Sequence, residues 1–198
     1  MTAVLEDDPA VPRARWRTPL LLCLAAVGSG FGLGAITNAI NGQVSADYFA
    51  IVMSWDWQFA PIAAVMQGAF EGAVVGLVFG VFISVVLAAS TKMRCPLPLA
   101  MEGVKLAIGV VAGSWVIGGI TGTVLARLVP NLWGFVFVGV PPRVNLARFA
   151  WVGGSIWGAY FGAAVAFVAA PIYLHITWRR TTRRVRGFPM VVAPPEAG

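Results

Sequence analysis

Glycine recurs at positions 68, 72, 76 and 80, inside a run from Ala60 to Ser90 that carries one charged side chain, Glu71. Residues four apart share a helix face, so these glycines make a smooth backbone groove along one side of a helix. In a water-exposed helix each would cost about 1 kcal/mol relative to alanine. The pattern is expected where close backbone approach is rewarded, as it is inside a membrane. The ladder returns 86 residues later as Gly154, Gly158 and Gly162, continued by Ala166 and Ala170.

Composition agrees with that environment. Hydrophobic residues make up 59% of the chain and charged residues 11%, with mean hydropathy +0.82; an ordinary soluble domain is about 25% charged. Three more runs lack Asp, Glu, Lys and Arg: Pro19 to Ile40, Leu106 to Ala126 and Phe149 to Trp178. Each of the four runs is long enough to span about 30 Å of hydrocarbon as a helix.

The net charge of +6 is explained by which side of the membrane the basic residues occupy. Arg13, Arg15 and Arg17 precede the first span, Lys92, Arg94 and Lys105 fall between the second and third, and Arg179, Arg180, Arg183, Arg184 and Arg186 follow the fourth. These are 11 of the 14 Lys and Arg residues. Arg127, Arg143 and Arg148 fall on the opposite side with Asp47 and Asp56. The asymmetry predicts a multi-pass protein of the cytoplasmic membrane with both termini cytoplasmic. Nucleic acid is not an expected partner. The five C-terminal arginines are candidates for anionic lipid headgroups, worth about 1 kcal/mol each at the surface.

The spans repeat as pairs. Gly34-Ala-Ile-Thr-Asn38 of the first matches Gly118-Gly-Ile-Thr-Gly122 of the third at an offset of 84, and the glycine ladders match at 86. The expected fold class is an all-α integral membrane protein, its four transmembrane helices forming two tandem, parallel helical-hairpin repeats with glycine-zipper packing. The repeats cover about 19–91 and 103–178. Residues 1–18 read as a disordered cytoplasmic tail and 179–198 as a basic one. In the outer loops, Tyr48, Phe49, Trp55 and Trp57 suit an interfacial aromatic belt, and Asn131 to Val140 reads as an apolar flap. Pro171 is expected to kink the fourth span. Cys23 and Cys95 fall on the cytoplasmic side, where a structural disulfide is not expected.

Glu71 is the one carboxylate inside the spans, and an intramembrane carboxylate is a functional-site hypothesis by default. Gln67 lies one turn before it, Asn38 and Asn41 end the first span at similar depth, and Arg127 and Arg148 flank the same side. These six residues are the candidate binding cluster. The competing reading makes them a structural network, or a Glu71–arginine pair, that locks the repeats together. The glycines at 68, 72, 76, 80, 154, 158 and 162 are candidates for helix packing or for homo-oligomer contact.

Catalysis is not expected. His175 is the single histidine, about 30 Å along one helix from Ser155, so no serine–histidine pair forms. No metal spacing or phosphate loop is present, and no cofactor is implied. Two functional classes follow: a structural or interaction protein that packs against itself or a partner through its glycine faces, and, as the alternative, a small oligomeric channel or carrier with its site around Glu71. Parsimony favours the first at this level.

Overall fold

The computed structural model describes residues 17–56, 58–91, 94–131, 140 and 144–187, the side chains of 183–187 excepted. Among these the chain is all helical: α1 (Arg17–Val44), α2 (Ala46–Val52), α3 (Ala60–Thr91), α4 (Leu97–Leu128) and α5 (Leu146–Gly187). All but α2 are long and apolar enough to cross a membrane. Residues 1–16 and 188–198 of the two tails, the core of the apolar flap, Trp57, Lys92, Arg143 and the side chains of Arg183, Arg184 and Arg186 lie outside the described residues.

The helices outrun the uncharged stretches. α1 begins at Arg17 and continues through Asn38 and Asn41 to Val44, so neither asparagine ends it. α4 starts at Leu97 and takes up Glu102 and Lys105, which pair at 2.7 Å on an exposed face three residues apart. Lys105 therefore sits within a helix and not in a connection. α5 stays helical through Pro171 and past Trp178, carrying the five arginines into its last turns. Arginine is a good helix former, so loss of hydropathy there does not end the helix.

The connection between α1 and α3 is not an open aromatic belt. Residues 46–52 wind into α2, which turns Tyr48 and Phe49 inward, where both are buried against Ala60 and Ala64 of α3 and Phe149 and Val152 of α5. The Tyr48 and Phe149 rings lie 5.0 Å apart, and Trp55 stacks on Phe49 at 6.1 Å. Small alanines on α3 leave room for the rings, and their burial removes more apolar surface than an interfacial position would. Asp47 and Asp56 stay exposed.

Large apolar side chains face outward. Ile62, Met66 and Phe70 of α3 and Phe161 and Val168 of α5 are between 62% and 70% exposed, whereas glycine and alanine fill much of the interior. That inversion of the soluble pattern fits helices surrounded by hydrocarbon.

α1 lies along α3 and α4 along α5. In the first pair, a methyl added to Gly30 or Gly34 would run into the carbonyls of Gly72 and Gly68, and one on Gly76 into that of Ala26. In the second, Gly118 and Gly122 face the carbonyls of Gly154 and Ala150, and Gly158 faces that of Ser114. Contact between the two pairs is much sparser, made chiefly by α1 with α4 and α3 with α5. A buried cluster closes each end of this seam. At the α2 end it is the aromatic cluster above, and at the other it comprises Leu22, Phe79, Ile83, Val104, Leu174 and their neighbours from all four long helices.

Candidate functional site

Two tight pairs joined loosely leave space between them. The seam holds a cleft of about 170 Å³, lined by residues at three- and four-residue spacing from all four long helices, with Phe49 and Met53 at the α2 end. Its walls are largely apolar: Val75 and Phe79 of α3, Val104, Ile108 and Val111 of α4, and Ile156, Ala163 and Phe167 of α5.

Glu71 is set into this apolar wall. Its Oε1 accepts a hydrogen bond of 2.6 Å from Gln67 Nε2, one helical turn away. Its Oε2 accepts the Tyr160 hydroxyl at 2.8 Å, a bond that crosses the seam from α5 to α3. A carboxylate has about four lone-pair sites, so acceptor capacity remains. Among the described residues no arginine or lysine pairs with it. A Glu71–arginine lock is therefore absent from this part of the molecule.

A second bond crosses the seam toward the α2 end. Asn41, which is 0% exposed, meets the Ser155 hydroxyl at 3.1 Å, while Ser155 Oγ also lies 2.9 Å from the Val152 carbonyl. The one hydroxyl proton is shared between the two acceptors as a three-centre bond. As placed, Asn41 Oδ1 accepts and its Nδ2 is left over; turned over, the amide would instead donate to Ser155, since amide orientation is assigned from such networks. With either orientation one amide atom of Asn41 is buried without a partner, and Asn41 lines the cleft. Gln67 Oε1 and the Trp115 indole nitrogen, also in the lining, are buried and unpartnered too. Leaving such a group unmet costs about 1–3 kcal/mol, so three around one cleft mark a place where a ligand or water completes the bonding.

The expected cluster is thus partly assembled. Gln67, Glu71, Asn38 and Asn41 all line the cleft. Asn38 is engaged in packing, with Nδ2 donating to the Ala64 carbonyl at 3.0 Å. Arg127 and Arg148 do not join them; both are exposed at helix ends, Arg127 in the last turn of α4 and Arg148 in the first of α5. Gly68, Gly72 and Gly76 back the cleft, while Gly80 lies against Cys23 and Gly162 against Ser114. Arg179 and Arg180 are exposed. Tyr160, Trp115 and Ser155 are the members that sequence reasoning did not bring to the site: a tyrosine or tryptophan in an apolar run carries no sign of what faces it.

Ser155 is bonded to Asn41 and Val152, and His175 is exposed further along the same helix. No group of three His, Cys, Asp or Glu suited to a metal occurs among the described residues. Cys23 and Cys95 are free, and burial pushes the Cys95 thiol up to about 11.

Fold and site together define a class: a four-helix bundle, apolar enough to cross a membrane, with a carboxylate-bearing cleft between two tightly paired helical hairpins. No family model, curated protein or solved structure matches the chain.

Proposed function

We propose that this chain is a four-span membrane protein, made of two parallel tandem hairpins each held by a glycine zipper, that binds a small solute in the seam between them as a channel or carrier does. The single observation that carries the reading is the cleft itself: about 170 Å³ of space in which Glu71 shares the wall with three unpartnered buried polar atoms. A scaffold that packs through its glycine faces has less to rest on, because those faces are taken up inside the chain by α1 against α3 and α4 against α5. An oligomer would use the large apolar outer surface instead. The distribution of basic residues favours cytoplasmic termini, with the helical arginines at the end of α5 near anionic headgroups.

Duplication is supported by the contacts. Shifting α1 numbers by 84 and α3 numbers by 86 carries Gly34 against Gly68 onto Gly118 against Gly154, and Gly30 against Gly72 onto Ser114 against Gly158.

The test is uptake into proteoliposomes of protons, potassium, sodium and small organic solutes by wild type, Glu71→Gln and Ala163→Phe, the last chosen to fill the cleft. Uptake of one solute that Ala163→Phe abolishes is expected. A folded wild type that moves and binds none of them would return the scaffold role to first place.

A further inference from the structure

Resting on the reading of the cleft as a solute site, we propose that its occupant is a small organic ammonium ion bearing one ring or a short alkyl chain. Size sets the first limit. A cavity of about 150 Å³ takes up benzene, and this one, at about 170 Å³, is slightly larger. It has room for one ring with a short arm and not for a nucleotide.

The polar groups set the sign of the charge. Gln67 uses its Nε2 on Glu71, so its free atom is the acceptor Oε1, held within one side chain's length of the carboxylate. Glu71 therefore stands with one further acceptor, Gln67 Oε1, beside it and with no cation among the described residues next to it. An ammonium group supplies three donors and the missing positive charge. An anion would meet the carboxylate head on.

The remaining wall sets the body of the molecule. Both ends of the seam are closed by buried clusters. The lining reaches the surface on the flanks, where Tyr160 is 47%, Val75 37% and Ile108 37% exposed. A molecule reaching the cleft therefore passes along apolar helix surface, which favours an apolar body. Trp115, Phe79 and Phe167 in the lining supply aromatic surface for that body, and aromatic rings attract cations as well.

The experiment is binding at pH 7 by wild-type protein in detergent, read by tryptophan fluorescence and calorimetry, with empty micelles as the blank. The probes are 2-phenylethylammonium, 2-phenylethanol and 3-phenylpropionate. The ammonium ion is expected to bind at least tenfold more tightly than the alcohol, and the carboxylate not at all. Glu71→Gln should bring the ammonium ion down to the affinity of the alcohol and leave the alcohol unchanged. Tyr160→Phe, which keeps the carboxylate, should retain the preference, and it serves if Glu71→Gln does not fold. Equal or tighter binding of the alcohol or of 3-phenylpropionate, abolished by Ala163→Phe, would overturn the cationic assignment and leave the cleft reading intact. Absence of binding by all three, or binding that Ala163→Phe does not alter, would overturn both.

Discussion

The two hairpins share their contacts and differ in what they show to the cleft. In the first, Asn38 bonds the Ala64 carbonyl; at the corresponding place in the second, Gly122 lies against the Ala150 carbonyl. The shifts that relate the contact pairs also place Gln67 opposite Gly153, Glu71 opposite Trp157 and Asn41 opposite Leu125. The second hairpin packs as closely with none of those three polar side chains. Packing within a hairpin therefore does not require them; they line the seam, where Glu71 and Asn41 bond across to Tyr160 and Ser155 of the second hairpin. The second hairpin supplies the other kind of wall, with Trp115, Tyr160 and Phe167.

The sharpest way to break this comparison is to attack both hairpins at matched positions. Gly72→Leu and Gly158→Leu place a side chain against the carbonyls of Gly30 and Ser114. Backbone cannot move aside as a flexible side chain can, so each should cost at least the roughly 1–3 kcal/mol of an overpacked core. Loss of monodisperse protein, or a fall of several degrees in Tm, is expected for both. If one is tolerated, the hairpins are not built alike.

A smaller effect is expected where the hairpins meet. Asn41→Leu, which installs the residue found at the matched position, and Ser155→Ala each remove the bond across the seam. Each should lower stability by about 1 kcal/mol, and the double variant should lose less than the two together. Strict additivity in thermal melts would mean that the two side chains do not interact.

Cys95 reports on the connection between the hairpins. Its thiol is favoured in the neutral form, with its pKa raised from 9.0 to about 11 by burial. The associated stability is present below about pH 9 and is lost as pH rises through about 11. In a Cys23→Ser background, alkylation by iodoacetamide should be slow at pH 8 and accelerate steeply toward pH 11. Fast labelling at pH 8 would show that the hairpins part readily at that end.

The smallest effect separates glycines that pack from those that do not. A methyl added to Gly28 or Gly32 would meet open space, unlike one on Gly30 or Gly34 of the same helix. Gly28→Ala and Gly32→Ala should leave Tm unchanged or raise stability by up to about 1 kcal/mol. A clear loss would place these two glycines in a contact outside the single chain.

Much of this architecture could be read from the amino-acid sequence, and the omissions have physical causes. The four long helices were legible because a run without charge has few other ways to satisfy its backbone in hydrocarbon. Their ends were not, because Glu102, Lys105 and the arginines after Trp178 are good helix formers and hydropathy does not see them. The seven residues of α2 are too few for periodicity to declare a helix. Glu71 and Gln67 announced themselves as polar residues among apolar ones. Tyr160 did not, because its position across the seam depends on how α5 is placed against α3. Arg127 and Arg148 were drawn into the cluster by depth alone, and depth does not say which way a helix face turns.

The most direct measurement is the thermal stability of Glu71→Gln beside wild type in the same detergent, each with and without 2-phenylethylammonium. The account predicts a Tm for the free variant at or above that of wild type, and stabilisation by the ammonium ion in wild type only. A fall of more than about 5 °C in the free variant, roughly 1–2 kcal/mol for a domain of this size, would contradict it and make Glu71 a lock between the hairpins.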